Sequence, residues 1–89
     1  MLDLRDLRCF VAVYEAGGFG RAAAQLKVAQ SNVSMRVLRL ERLIGAPLFE
    51  RRHRSIVPTS RGELLYRHAL RVFGEVEELE SSLRAREAG

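Results

Sequence analysis

Apolar residues recur at helical spacing in four stretches of this chain, and a short region between the third and fourth alternates instead. The clearest stretch is Gln30 to Ile44. There Val33, Val37, Leu40 and Ile44 step by four, three and four, so they share one helix face. Ser31, Ser34, Met35, Leu38 and Arg42 fall on the opposite face, with Arg39 at its edge. A buried stripe backed by hydroxyls and guanidiniums, preceded by a short Ala-rich helix and a tight turn at Lys27-Val28-Ala29, is the pattern of a helix-turn-helix. Phe19, Ala22, Ala23 and Leu26 form the inner face of that shorter helix, and Val28 is expected to plug the gap between the two. Upstream, Asp3 is placed to cap a first helix with Asp6 at its positive end, and Leu4, Leu7, Phe10, Val11 and Tyr14 are its predicted buried stripe. Gly17-Gly18 stops it, and Gly45 stops the third helix.

Leu48-Phe49-Glu50-Arg51 and Ile56-Val57-Pro58-Thr59 flank the basic run Arg52-His53-Arg54-Ser55, which predicts a two-stranded ribbon with a charged tip; an irregular basic loop is the alternative. Thr59 or Ser60 then caps a last helix, with Glu63 near its start. Leu65, Ala69, Val72, Val76, Leu79 and Leu83 repeat every 3.5 residues on average, the period of a coiled-coil seam, and Tyr66, Leu70 and Phe73 widen the first half. A helix of about 27 residues runs roughly 40 Å, too long for a small body to cover, so its far half is expected to pair with a second copy. The predicted fold class is mainly α: a winged helix-turn-helix over residues 1–59, with a three-helix core and a two-stranded β wing, followed by a long dimerisation or linker helix over 60–89.

Charge sharpens this picture. The formal net charge is +4, but residues 1–73 carry 13 basic against 6 acidic side chains and residues 74–89 carry 2 against 5. A polyanion is the expected partner of the first part only. The hydrophobic fraction of 47% supports a core, yet no stretch spans a membrane and no signal peptide opens the chain, so no membrane partner and a cytoplasmic location are expected. The single Cys9 sits in an apolar helical pattern and reads as a buried thiol.

Other chemistries fit poorly. Gly17-Gly18-Phe19-Gly20 lacks the strand before it and the Lys-Ser/Thr pair after it that a phosphate-binding loop needs. His53 has no ligand cluster around it, so no metal or cofactor is expected. Ser31, Ser34, His53, His68 and Cys9 offer no nucleophile, base and orienting group in one arrangement, and an enzyme is not expected. The alternatives are a different winged-helix class, or a protein-interaction module on a helix-turn-helix scaffold that binds no specific DNA.

The chain resembles the LysR-type transcriptional regulators from Leu4 to about Leu83. The resemblance is carried by Leu7-Arg8-Cys9-Phe10 with Val13 and Glu15-Ala16-Gly17; Phe19 with Arg21-Ala22-Ala23 and Leu26; Gln30-Ser31 with Val33-Ser34; Leu40-Glu41; Gly45 with Leu48-Phe49 and Arg51; and Pro58-Thr59 with Gly62. It implies a DNA-binding domain whose linker helix pairs with a second copy, often within tetramers, on a dyad-symmetric site containing T and A. It also implies a C-terminal effector-binding domain outside this chain, so that Arg84 to Gly89 reads as a linker cut short and the chain as a DNA-binding fragment, an unusual short protein being the alternative. Carried over by position, base contacts fall on Gln30, Ser31, Ser34 and Met35, and the wing contact on Arg54. Arg21, Arg36, Arg39, Arg52 and His53 join Arg54 as expected phosphate or groove contacts, with Arg42 as a further cation. The expected dimer interface is Leu65, Ala69, Val72, Phe73, Val76, Leu79 and Leu83. The chain departs from the family at Gly18 and Gly20, where hydroxyls are usual, and at Ala29, where Ser usually caps the recognition helix. Ser31 is the candidate for a shifted cap. Met35 stands where Arg or Lys is common; a thioether cannot pair with guanine bidentately but can touch a thymine methyl.

Overall fold

The computed structural model describes residues 1–88, with side chains through residue 85. Its elements are α1 (Leu4–Ala16), α2 (Phe19–Leu26), α3 (Gln30–Ile44), β1 (Phe49–Arg52), β2 (Ser55–Pro58) and α4 (Ser60–Ala88). Gly89, the end of the expected last helix, lies outside the described residues.

The helix ends are set by local chemistry. The Asp3 carboxylate accepts the Arg5 backbone N–H at 2.8 Å, capping α1, and its side-chain hydrogen bonds with Arg5 hold its pKa down at about 2. Gly17 and Gly45 close α1 and α3 at φ 76° and 82°, a left-handed conformation that a side chain would strain. Lys27 takes the same conformation at the end of α2, and the backbone N–H of Val28 donates to the Ala23 carbonyl. Val28 is 44% exposed and lines a surface pocket with Leu26 of α2 and Asn32 and Arg36 of α3, so it covers the gap between the helices only in part.

The core joins Leu7, Cys9, Phe10 and Val13 of α1, Ala22 and Ala23 of α2, Val33, Val37 and Leu40 of α3, Leu48, and Ala69 of α4. The face of α1 is therefore rotated from the expected stripe. Leu4 is 45% exposed, while Asp6, Cys9 and Val13 are buried, because α1 is wedged between α2, α3 and α4 and is covered on several sides. Burial pushes the Cys9 thiol above its ordinary pKa and keeps it protonated.

β1 and β2 pair antiparallel, from Phe49↔Pro58 to Arg52↔Ser55, leaving His53 and Arg54 as a two-residue loop. This is the predicted wing. Phe49 anchors it, with its ring 5.4 Å from Phe10 and 5.9 Å from Phe19. The wing joins α4 at a tight junction. Thr59 caps α4: its hydroxyl accepts the Gly62 N–H at 3.0 Å and donates to the Pro47 carbonyl at 2.8 Å. The Thr59 N–H donates to Leu48 O, and the Leu48 N–H donates to the Glu41 carboxylate at 2.8 Å. One knot thus ties the end of α3, the start of the wing and the start of α4.

The first half of α4 packs on its own domain. Tyr66 stacks on Tyr14 at 3.8 Å with the rings nearly parallel, and its hydroxyl donates to Glu15 at 2.7 Å. Arg8 lies over the Phe73 ring at 4.6 Å. Ala69, expected at the dimer seam, has no exposed surface left. Leu65, Val72 and Phe73, expected there too, are half-buried against the same core. The seam is therefore divided: the body takes its first turns, and only Val76, Leu79 and Leu83 continue beyond. Leu79 and Leu83 are 59% and 55% exposed, and α4 gives the molecule its long axis of 54 Å against 26 and 20 Å. No helix among the described residues is long and apolar enough to cross a membrane.

Candidate nucleic-acid interface

α3 presents its outer face because its inner stripe is consumed: Val33, Val37 and Leu40 are almost fully buried. Ser31, Ser34, Met35, Leu38 and Arg42 are all exposed, as the spacing predicts. The helix starts at Gln30 with Ala29 as its N-cap, and no side chain caps it. Ala29 is extended and its carbonyl accepts the N–H groups of Asn32 and Val33. Ser31 is thus inside the first turn, exposed, and cannot serve as the shifted cap. α2 also starts without a side-chain cap, at Gly18. Both helix starts leave backbone donors and the positive end of the helix dipole available to an anion.

Gln30 leans toward the start of α2. A Cβ on Gly20 would lie 3.4 Å from the Gln30 side-chain oxygen, in ordinary van der Waals contact. The two helix starts and the wing enclose an open cleft of about 130 Å³ lined by Gly17, Gly18, Phe19, Gly20, Gln30, Arg51, Arg54, Ser55 and Ile56. Arg54 lines it from the wing tip. Arg51, not among the contacts expected from the sequence, lines the cleft as well. The signal for it is strand alternation: Arg51 is two residues from the inward-facing Phe49 and pairs with Ile56, so it shares their face and lies along the cleft. Arg52 points the other way, exposed and 3.6 Å from Glu50. His53 sits at φ 56° at the tip of the hairpin and is exposed, and Arg21 is exposed on α2.

The arginines of α3 are divided between two tasks. Arg36 donates to the buried Asp6 at 2.9 Å and is only 24% exposed, and Arg39 approaches the other Asp6 oxygen at 3.4 Å. Asp6, expected merely to favour a helix start, instead clamps α3 to α1. The expected phosphate contact of Arg36 therefore competes with a buried partner, while Arg39, 51% exposed, keeps part of its surface free. Removing the clamp should cost stability. Asp6→Ala is expected to lower unfolding free energy by about 2 kcal/mol in a urea titration, less than a fully buried pair because both arginines can rehydrate. No change in the midpoint would show that the pair contributes nothing. Among the described residues no group of His, Cys, Asp and Glu side chains could hold a metal ion.

Residues 4–63 match the family described as bacterial regulatory helix-turn-helix protein, lysR family. The chain is 43% identical over 84 residues to the HTH-type transcriptional regulator CfxR of Cupriavidus necator, covering 94% of this chain and 26% of that regulator. It is 46% identical over 83 residues to the HTH-type transcriptional regulator AbaB of Streptomyces antibioticus, covering 92% and 28% respectively. This chain thus spans about a quarter of the length of these curated relatives. Among solved structures it matches the BenM DBD–catB site 1 DNA complex with a TM-score of 0.93 at 34% identity, covering 99% of this chain and 98% of the other. The CbnR DBD–DNA complex gives 0.90 at 33%, covering 96% and 98%.

Proposed function

The chain belongs to the LysR family of bacterial regulatory helix-turn-helix proteins, and on that footing we propose that it binds double-stranded DNA sequence-specifically as a homodimer. In this reading it is the DNA-binding end of a cytoplasmic transcriptional regulator whose effector-sensing part lies elsewhere. The observation that carries the reading is the alignment of an unencumbered α3 face with two wing arginines across the uncapped helix starts, on a backbone that matches DNA-bound relatives along nearly its whole length.

In this reading the residues divide the work. Gln30 and Ser34 reach base edges from the first turns of α3; glutamine pairs bidentately with adenine. Ser31 and Met35 flank them on the same face. Arg51 and Arg54, with the free N–H groups of the α2 and α3 starts, hold phosphates or enter the adjacent minor groove. Arg21, Arg39 and Arg52 add charge at the margin, His53 adds a hydrogen-bonding ring at the wing tip, and Arg36 chiefly holds α3 in place. Val76, Leu79 and Leu83 join two copies so that two α3 helices face a dyad-symmetric site, and tetramers form in a full-length chain.

The test is a salt series on a duplex of known affinity. Log Kd should rise linearly with log salt, and Arg51→Ala and Arg54→Ala should each flatten the slope by about 1 per protomer. A slope near zero, or variants that leave it unchanged, would contradict this interface and favour the protein-interaction alternative.

A further inference from the structure

The outer face of α3 carries no cation from its start through Leu38. Arg36 is turned to Asp6 on α1, Arg39 is held at the edge by the same carboxylate, and Arg42 lies in the last turn. Bidentate reading of guanine needs a guanidinium or an ammonium, and the N-terminal turns of a recognition helix are the ones that face base edges. Beside the neutral Gln30, Ser31 and Ser34 of the first turns, this chain places apolar side chains on that face. Met35 and Leu38 are 47% and 43% exposed and sit three residues apart on one face. Their rise along the helix is about 4.5 Å, close to the roughly 3.4 Å between base pairs. The one apolar group that B-DNA offers in its major groove is the C5-methyl of thymine. Cytosine methylated at C5 puts a methyl at the same place.

Resting on the DNA-binding reading above, we infer that Met35 and Leu38 make this protein a reader of C5-methyl groups. It selects thymine over cytosine at two neighbouring positions of each half-site, and methylation of a cytosine at those positions restores binding. Sites differing only in cytosine methylation are then bound to different extents.

The methyl contribution can be isolated. Burying one methylene-sized group is worth roughly fourfold in affinity. In a duplex carrying the protein's selected motif, each thymine is replaced in turn by deoxyuridine, which keeps base pairing and removes only the methyl. Two neighbouring thymines per half-site should each cost about fourfold, and about fifteenfold when the same position is changed in both half-sites of a dimer. Cytosine at those positions should bind more weakly than 5-methylcytosine by the same factor. Met35→Ala should abolish the dependence at one position and Leu38→Ala at the other; both side chains are exposed, and retained thermal midpoints would show that the variants are folded. Deoxyuridine duplexes that bind as tightly as the thymine parent would overturn the inference while leaving DNA binding intact. A parent duplex that shows no sequence preference over unrelated DNA would overturn the DNA-binding reading itself.

Discussion

Gly62→Ala should destabilise the domain by about 3 kcal/mol, against the direction that helix propensity alone predicts. Alanine is favoured over glycine inside a helix by roughly 1 kcal/mol. At this position, however, a Cβ would run into the carbonyl oxygen of Leu48, with the Leu48 carbonyl carbon at 3.2 Å and the Pro58 side chain at 3.4 Å. The obstructing atoms are backbone, and they are held: that carbonyl accepts the Thr59 N–H, and the Leu48 N–H is fixed by Glu41. Room for one methyl requires pulling α4 away from the α3–wing knot, an overpacking of the costly kind. Gly74 is the internal control. It lies in the same helix, with nothing within 4 Å of the place an alanine methyl would take, so Gly74→Ala should raise stability by up to about 1 kcal/mol. Urea unfolding of both variants decides the matter; equal effects of the two substitutions would mean that the close approach at Gly62 is not what holds the junction.

The second large effect concerns the partner copy. Leu79→Glu combined with Leu83→Glu should convert the proposed dimer to a monomer in light scattering and weaken binding to a dyad-symmetric site by about a hundredfold. The side chains are 59% and 55% exposed in the single chain and are not packed on the core, so the thermal midpoint of the body should persist in the monomer. Four like charges at the joint of two helices oppose pairing. Without pairing, each half-site is bound separately and the effective concentration of the second recognition helix is lost. A variant that stays dimeric would move the interface to another surface.

Much of this is legible from periodicity. The α3 stripe, the glycine stops and the hairpin follow from short-range spacing, where the residues that decide the structure are neighbours in sequence. Asp6 is not legible in the same way. An acidic residue in a first helical turn is satisfied by the helix dipole, and only the fold brings Arg36, 30 residues on, within 2.9 Å. Ala69 illustrates the converse. Its place in the 3.5-residue repeat is real, but a repeat does not say whether its face meets a second copy or the chain's own body, and here the body arrives first. Arg51 is hidden by a different ambiguity. In a basic run every arginine looks alike until strand register separates those on the Phe49 face from those turned to solvent. Gly62 stands out only through the family resemblance, because nothing in composition distinguishes a glycine under a carbonyl from one in open space.

The most direct test of a sequence-specific, dimeric DNA-binding domain is selection from a random-sequence duplex library at near-physiological salt, followed by sequencing of the bound fraction. An inverted repeat with T/A-containing half-sites is the expected result, and it should lose its enrichment when Gln30 or Ser34 is replaced by alanine. Bound DNA with no enriched motif would contradict the account: the arginines would then supply charge alone, and the outer face of α3 would not be reading bases.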